Sequence, residues 1–411
     1  MRALMSTAPD TVRSFDPRRL DAAFYADPFP VYAALREHAP VHRCPDGSFF
    51  LTRHEDLNAI YRNARVFISD KRQQFGPAFG TDSPLFEHHT TSLVFSDPPL
   101  HTQVRKAIGN ALSARAITAM EPGLRELVER LLDGIEAAGH FDLVEDYAAA
   151  IPIEIIGNLL RVPPSERGPL RRWSLAILGA LEFGLEPEAK AAGNQAVLEM
   201  LDFLDALVQS RRGSPGDADD DLLARLLRWE SEGFRLSGKT LYHQCIFLLN
   251  AGHETTSNLI GNAVQLLLEH PDQRERLQAE PMLIAGAVEE VLRMESPNQL
   301  GNRTVVEDAE IGGVTLPAGS ILTLCIGAAN RDPAVFTAPD RFDISRSPNP
   351  HLAFGAGIHT CAGLNVARLE AQVAVLALLQ RFPGLGRAGD ARRARRARFR
   401  GFESIPLTTG S

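Results

Sequence analysis

The sequence is short of the residues that mark several protein classes. It has only four cysteines in 411 residues, Cys44, Cys245, Cys325 and Cys361, and no two of them form a Cys-x-x-Cys pair. A zinc ribbon and a disulfide framework are therefore not indicated. No run approaches the roughly 18 apolar residues of a membrane span, so the sequence predicts no membrane-embedded segment.

An excess of positive charge is also missing. The chain carries 43 Lys and Arg against 51 Asp and Glu, a formal net charge of −8, and such an acidic chain is a poor general binder of nucleic acid. Residues Met1 to Phe15 contain no apolar stretch of the signal-peptide type. We therefore expect a cytoplasmic protein with no nucleic-acid or membrane partner, and a monomer as its default state.

Helical periodicity dominates the middle of the chain, from Leu100 to about Leu277. The longest predicted helix starts after Ser237, a candidate N-cap, and runs to His270 before a proline. Its length of about 33 residues corresponds to roughly 50 Å, enough to cross the whole molecule. A last helix is predicted to begin near Cys361 and to run to about Gln380.

The β content is predicted to be small. A hairpin is expected around Asp46-Gly47, and a long irregular loop with at most one short helix over Ser69–Thr91. The predicted short strands are Val41–Arg43, Ser48–Thr52, Thr304–Val306, Val314–Leu316 and Ser320–Leu324. No internal repeat or composition break divides the chain, so we expect one large, mainly α domain with a small β region over residues 1–411.

The most informative segment runs from Phe354 to Gly363 and holds one cysteine among three glycines. Gly355 and Gly357 allow tight turns, and the last glycine allows close approach to a flat surface. Cys361 is predicted at a helix start, where the helix dipole and free N–H groups favour a thiolate. A lone thiolate suits a metal whose other ligands come from a cofactor, as in heme.

Two other interpretations of this segment are less favoured. A buried inert cysteine is the common role of a lone cysteine, but the flanking glycines, Phe354 and His359 argue for a ligand. A dinucleotide-binding loop would need a third glycine at position 360, where Thr360 stands.

A second motif, Ala251-Gly252-His253-Glu254-Thr255-Thr256, lies in the middle of the long predicted helix. Gly252 and the hydroxyl residues weaken the helix locally, because Ser and Thr can bond back to backbone carbonyls. An acid beside a hydroxyl in an apolar helix can act as a proton relay. A helix N-cap or a solvent-facing stripe is the alternative.

Charged residues recur at helical spacing in two further places. His101 and Arg105 are four residues apart and share a helix face, although His101 could equally be a surface histidine. Glu290 and Arg293 are three residues apart and can form an ion pair.

These segments together resemble a known family. Residues Phe354 to Gly363 match, at every position, the heme-binding signature of the cytochrome P450 monooxygenases, and the other motifs follow in that family's order. The sequence is similar to a soluble bacterial-type cytochrome P450 over essentially its whole length. The resemblance implies the cytochrome P450 fold and a heme b cofactor, iron protoporphyrin IX, with Cys361 as the iron ligand.

The resemblance also implies roles for individual residues. Thr255 would be the oxygen-activating hydroxyl, and Glu254 the acid that serves it. Glu290, Arg293 and Arg341 would form a buried network behind the cysteine loop. The residues implied to contact the heme are His101, Arg105, Ala251, Gly252, Arg303, Phe354, Gly355, His359, Cys361 and Gly363.

The implied reaction uses dioxygen, two electrons and two protons to hydroxylate or demethylate a small organic substrate. No flavin segment follows the last helix, so electrons are expected from a separate ferredoxin and its NAD(P)H-dependent reductase. The alternatives are a heme peroxygenase driven by hydrogen peroxide, which the Glu254–Thr255 pair disfavours, and a non-catalytic heme-binding module.

Two more segments carry expectations. Lys71, Arg72, His88 and His89 fall in a segment that the resemblance places at the substrate pocket, and we hypothesise that they recruit a carboxylate or another polar group. An exposed loop is the alternative. The arginine-rich run from Arg392 to Arg400 is predicted to be a solvated loop.

Overall fold

The computed structural model describes residues 9–212 and 238–410, and α-helices form most of that part of the chain. The helices there are α1 Asp10–Arg13, α2 Ala22–Ala26, α3 Phe29–His38, α4 His54–Arg62, α5 Arg72–Phe79, α6 Pro84–Thr91, α7 Leu100–Ala111, α8 Ala114–Ala138, α9 Ala150–Leu159, α10 Leu170–Gly179, α11 Pro187–Arg212, α12 Gly238–Glu269, α13 Pro271–Ala279, α14 Ile284–Met294, α15 Ile326–Ala329 and α16 Leu364–Arg381. None of these helices is both long and apolar enough to span a bilayer.

Short strands make up a minor β region. They are β1 Val41–Arg43, β2 Phe49–Leu51, β3 Phe67–Ile68, β4 His140–Asp142, β5 Leu300–Val305, β6 Ala309–Ile311, β7 Val314–Leu316, β8 Ile321–Cys325, β9 Gly386–Arg387, β10 Arg392–Arg393, β11 Phe402–Ser404 and β12 Pro406–Thr408. The largest sheet has the order β1-β2-β8-β5-β3, and β2 and β8 are its parallel pair. A three-stranded sheet β4-β12-β9 and the pairs β6–β7 and β10–β11 complete the set within the described residues.

The long helix α12 organises the molecule. It has 32 residues and packs against α9, α10, α11, α14 and α16. Its C-terminal end lies one residue before the predicted His270, because Pro271 begins the next helix. The predicted N-cap, Ser237, lies outside the described residues. The expected long central helix is thus present.

Two apolar cores meet along α12. Ile246 and Leu249, in its N-terminal half, belong to a core shared with α5, α6, α10 and α11. Leu259 and Ile260, in its C-terminal half, belong to a core shared with α8, α14 and α16. The polar segment 250–257 lies between these cores, so the predicted relay motif falls at their junction.

Two local predictions were wrong. The segment Ser69–Thr91, expected as a loop with at most one helix, contains both α5 and α6. Gly80, with φ +85°, ends the first helix, and the Ser83 side chain caps the second by accepting from the N–H of Phe86 at 3.1 Å. The last helix begins at Leu364, not at Cys361. By contrast, strands β1 and β7 match their predicted bounds.

Candidate active site

The loop of residues 354–363 is held in a tight shape just before α16. The N–H of Cys361 donates to the Phe354 carbonyl at 2.9 Å, and Gly355 and Gly357 have φ of +66° and +70°. A Cβ at position 357 would lie 2.2 Å from the backbone oxygen of Tyr61 in α4. Position 357 therefore requires glycine, and the loop is fixed against α4.

Cys361 lies three residues before the first residue of α16. Burial raises the pKa of its thiol, while the Gly363 N–H and the charges of Arg105 and Arg368 lower it. Binding to a metal deprotonates a thiol outright, and the adjacent N–H and cations stabilise the resulting thiolate. Cys361 was predicted at a helix start, but it precedes the helix. A loop N–H and two arginines therefore stabilise a thiolate there, in place of the helix N-terminus.

A cluster of cationic and histidine side chains lies beside this loop. The rings of His101 and His359 are 4.2 Å apart, and His359 Nε2 is 3.0 Å from the Ser69 hydroxyl. The Arg303 guanidinium stacks 5.0 Å above the ring of Tyr61. Burial is the main cause that lowers the pKa of His101, Arg303 and His359. Neighbouring positive charges lower the pKa of the two histidines further, whereas Tyr61 and Asp97 oppose the lowering at Arg303.

Lys71 joins this cluster. Its ammonium is 3.4 Å from the Thr304 hydroxyl, and the side chain is 1% exposed. Burial and the charges of Arg303 and Arg398 lower the Lys71 pKa well below its ordinary value. From the sequence, Lys71 was expected to recruit a polar group of the substrate. The fold instead places it next to Arg303.

This cluster fits the carboxylates of a heme. Within the described residues, no acidic side chain is within salt-bridge distance of Lys71, Arg105 or Arg303. Both ring nitrogens of His101 are buried, with the Ile358 backbone beside the ring. Buried unpaired charges are costly, and two propionates beside them would remove that cost. A Cβ on Gly363 would meet nothing within 4 Å, which leaves space for a flat ring above the cysteine.

The relay motif forms the middle of α12. The Thr255 hydroxyl donates to the Ala251 carbonyl at 2.7 Å, and the Ser257 hydroxyl donates to the His253 carbonyl at 3.0 Å. Such bonds back to the preceding turn loosen a helix locally. A Cβ at Gly252 would lie 3.5 Å from Ile156, an ordinary van der Waals distance, so this position faces α9 and has room for a small side chain.

Glu254 is buried and paired with an arginine that sequence reasoning missed. Its side chain is 4% exposed, and its Oε1 accepts from the Arg396 guanidinium. Burial raises the pKa of Glu254 to about 7, although the charges of Arg396 and Arg171 lower it. The carboxyl can therefore gain or lose a proton near neutral pH.

The arginine-rich run 392–400 is not the solvated loop that was predicted. Arg400 pairs with buried Glu295 at 2.7 Å, and the Arg398 guanidinium donates to the Leu300 carbonyl at 2.7 Å. The carboxylate of Glu182 accepts from the N–H groups of residues 397–399 at 2.9–3.3 Å. These partners are at least 98 residues away in sequence, so no local pattern indicates them.

The buried acid–arginine network contains Arg346 in place of Arg341, the residue that the family resemblance implies. Glu290 and Arg293 pair at 2.8 Å and are fully buried. The Nε of Arg346, rather than Arg341, lies 3.1 Å from both oxygens of Glu290. The side chain of Arg341 is exposed, and only its backbone carbonyl takes part, as an acceptor from Arg293 and Arg346. The expected network is present, but the assignment of Arg341 was wrong.

The four residues expected to recruit a polar substrate group do not form one site. Lys71 belongs to the cationic cluster, and Arg72 pairs with Asp70 at the surface. His88 and His89 are buried in α6, and burial lowers the pKa of His89 to about 3. The two histidines are neutral, so they offer hydrogen bonds but no charge to a carboxylate.

The fold and this site define a class: a mainly helical protein with a lone cysteine in a glycine-shaped loop, beside a cationic cluster that fits the carboxylates of a heme. The family model described as Cytochrome P450 matches residues 181–385. A biotin biosynthesis cytochrome P450 of Bacillus subtilis (strain 168) is 36% identical over 392 residues, covering 94% of this chain and 97% of the relative. The chain belongs to the cytochrome P450 family, whose members bind heme b and act as oxidoreductases on organic substrates with dioxygen.

Solved structures agree with this assignment. P450BioI in complex with hexadec-9Z-enoic acid ligated acyl carrier protein aligns with a TM-score of 0.89 at 35% identity, covering 95% of this chain and 100% of the other. Epothilone D-bound cytochrome P450epoK aligns with a TM-score of 0.89 at 33% identity, covering 97% and 99%. The predicted fold class is confirmed.

Proposed function

We propose that this protein is a monooxygenase that inserts one atom of dioxygen into a small organic substrate, by hydroxylation or demethylation. The observation that carries the proposal is the cluster of cations that form no salt bridge among the described residues, which lies beside a lone cysteine in a glycine-shaped loop. The adjacent Glu254 and Thr255 in α12 favour reductive use of dioxygen over a peroxide-driven reaction, which does not need a proton relay.

The proposal gives the residues of the site distinct tasks. Cys361 would bind the iron, and Lys71, His101, Arg105, Arg303 and His359 would hold the propionates. Heme with a thiolate ligand supplies dioxygen activation and O–O cleavage.

Proton transfer would be carried out by Glu254 and Thr255 in α12. Glu254 can act as an acid near neutral pH, because general acids work best when their pKa is close to the working pH. Thr255 is the next residue in the chain, and its hydroxyl, bonded to the Ala251 carbonyl, can accept and pass on a proton. This motif lies between the two apolar cores that flank α12.

We infer that electrons come from a separate ferredoxin that docks on the cysteine side. Ile358 in the cysteine loop is 40% exposed. The exposed residue Arg62 lies beside the loop, since its Cα is 3.3 Å from where a Cβ on Gly357 would stand. An apolar contact with a flanking cation suits a partner that carries surface carboxylates.

The substrate is proposed to be mainly apolar. Phe86, Phe95 and Phe247 are partly buried against the core that contains the N-terminal half of α12. The solved relatives hold a hexadecenoyl chain on its carrier protein and epothilone D, both of which are large and largely hydrocarbon. Hexadec-9Z-enoic acid and epothilone D are therefore the first probes to use.

The first experiment is the absorption spectrum of the reduced protein under carbon monoxide. We expect a strongly red-shifted Soret band, because Cys361 would supply a thiolate ligand to the heme iron. Cys361→His should keep the heme and lose that band. A wild-type band at the position of histidine-ligated heme would contradict the assignment of Cys361.

Turnover then separates the possible reactions. The probe is supplied either with ferredoxin, reductase, NADH and labelled dioxygen, or with hydrogen peroxide alone. Label in the product under the first condition supports the monooxygenase. Equal or faster turnover with peroxide alone would favour the peroxygenase alternative.

A further inference from the structure

Arg396 occupies an enclosed position between two helices. One guanidinium nitrogen donates to Oε1 of Glu254 in α12, and the other donates to the Leu175 carbonyl in α10 at 3.1 Å. A Cβ on Gly179, the last residue of α10, would lie 3.4 Å from the second nitrogen. The absence of a side chain at Gly179 thus leaves room for the guanidinium.

The backbone that carries Arg396 is also fixed. The three residues that follow it donate their N–H groups to the carboxylate of Glu182, just after α10. The Arg396 side chain is 21% exposed, far less than a free surface arginine. Both its side chain and its backbone are therefore positioned by α10 and the segment that follows it.

The two oxygens of Glu254 have different surroundings. Oε1 is occupied by Arg396, whereas Oε2 is buried with no hydrogen-bond partner among the described residues. The charged groups that act on this carboxyl are Arg396, Arg171 in α10 and Glu182, and the neighbouring His253 is buried and neutral. Oε2 is therefore the oxygen that is free to take up a proton.

We propose that Arg396 is a positioning residue of the proton relay: it holds Oε1 of Glu254 and leaves Oε2 as the oxygen that exchanges protons in the relay. The inference rests on the proposed function, in which Glu254 is the relay acid. Because Arg396 is anchored to α10, a displacement of α10 relative to α12 would alter the relay without any change in the relay residues themselves.

The test follows the protonation of Glu254 directly, by infrared difference spectroscopy of the carboxylic acid C=O band across pH in the heme-loaded protein. Glu254→Gln identifies the band by removing it. Removal of an opposite charge in contact with a carboxylate raises its pKa by about 1–3 units. We therefore expect the titration midpoint to rise by that amount in Arg396→Gln and to stay near the wild-type value in Arg396→Lys.

Arg392→Gln is the matched control, because Arg392 is exposed in the same segment. It should leave the midpoint unchanged. An unchanged midpoint in Arg396→Gln would overturn the inference. If Arg396→Gln does not fold, Arg396→Lys decides instead. A titration midpoint in Arg396→Lys that rises by the about 1–3 units expected for loss of the charge would contradict the inference equally.

A second readout separates this inference from the proposed function. With hexadec-9Z-enoic acid and the ferredoxin system, Arg396→Gln should form several-fold less product per NADH, while its carbon monoxide spectrum matches that of the wild type. An abnormal wild-type carbon monoxide spectrum would mean that the proposed function fails, and the infrared result would still decide the role of Arg396. Wild-type coupling in Arg396→Gln would count against a role in the relay.

Discussion

Arg346 and Arg341 allow the acid–arginine network to be tested one residue at a time. Arg346 donates to Glu290 and also to the carbonyls of Thr337, Ala338 and Arg341 at 2.8–3.1 Å. Hydrogen bonds to a charged group are each worth about 1.5–3 kcal/mol. We expect Arg346→Ala to lower the free energy of unfolding by at least about 1.5–3 kcal/mol in denaturant titrations.

Arg341→Ala is the matched control for Arg346→Ala. Its exposed side chain makes no contact with Glu290, so the variant should stay within about 0.5 kcal/mol of the wild type, as for ordinary surface changes. A larger loss in Arg341→Ala than in Arg346→Ala would restore the assignment implied by the resemblance.

This pair of residues also shows what sequence could and could not predict at the site. Cys361, Glu254 and Thr255 are recognisable because their motifs are local, and the glycine at 357 follows from the tight loop. Arg346 and Arg396 are not recognisable, because their partners lie 56 and 142 residues away. An arginine-rich run looks solvated until the fold shows that acidic residues surround it.

At the scale of elements, Glu182 is the point that fixes the arginine segment to the end of α10. Its carboxylate accepts from three consecutive N–H groups, those of Ala397, Arg398 and Phe399. We expect Glu182→Ala to speed hydrogen exchange in a peptide covering residues 394–400 by about tenfold or more, since 1.4 kcal/mol of lost protection corresponds to tenfold. Mass spectrometry after timed deuterium labelling measures this.

Glu186→Ala is the matched change four residues later, at an exposed position. It should leave exchange in that peptide at the wild-type rate. Unaltered exchange in Glu182→Ala would show that the side-chain contacts of Arg398 and Arg400 hold the segment without the carboxylate.

Element prediction from sequence succeeded where a periodic pattern was long. Helix α12 was expected within a residue of its C-terminal end, because apolar periodicity and Pro271 both mark it. Helices α5 and α6 were missed, because each has only eight residues and an internal or flanking Pro and Gly that suggest a loop. Helix α6 packs against α11 and α12, and α5 packs against α6, so their helical state depends on contacts that sequence alone does not reveal.

At the scale of the whole molecule, buried ionisable groups tie stability to pH. Glu370 in α16 is 3% exposed, its Oε2 has no hydrogen-bond partner, and burial raises its pKa to about 8. Between the ordinary value of 4.5 and about 8, the folded protein binds a proton that the unfolded chain has lost. Stability must therefore fall as pH rises through this window and level off above it.

Glu370→Gln isolates this contribution, because an amide does not titrate. When the folded protein binds one proton more than the unfolded chain, the free energy of unfolding changes by about 1.4 kcal/mol per pH unit. We expect the unfolding free energy of the variant to fall less steeply than that of the wild type between pH 5 and 8, by up to about that amount per unit. The buried histidines, whose lowered pKa values cost stability on acidification below 6.5, act equally in both proteins and cancel in the difference.

Denaturant titrations at one-unit steps from pH 5 to 9 measure the two curves, with exposed Glu126→Gln in α8 as the matched control. The control curve should run parallel to the wild type, because that carboxylate is solvated in both the folded and the unfolded states. Parallel curves for Glu370→Gln as well would mean that Glu370 is ionised in the folded protein. Its charge would then have to be stabilised inside the packing of α16 against α8 and α12, which offers no counterion to this carboxylate among the described residues.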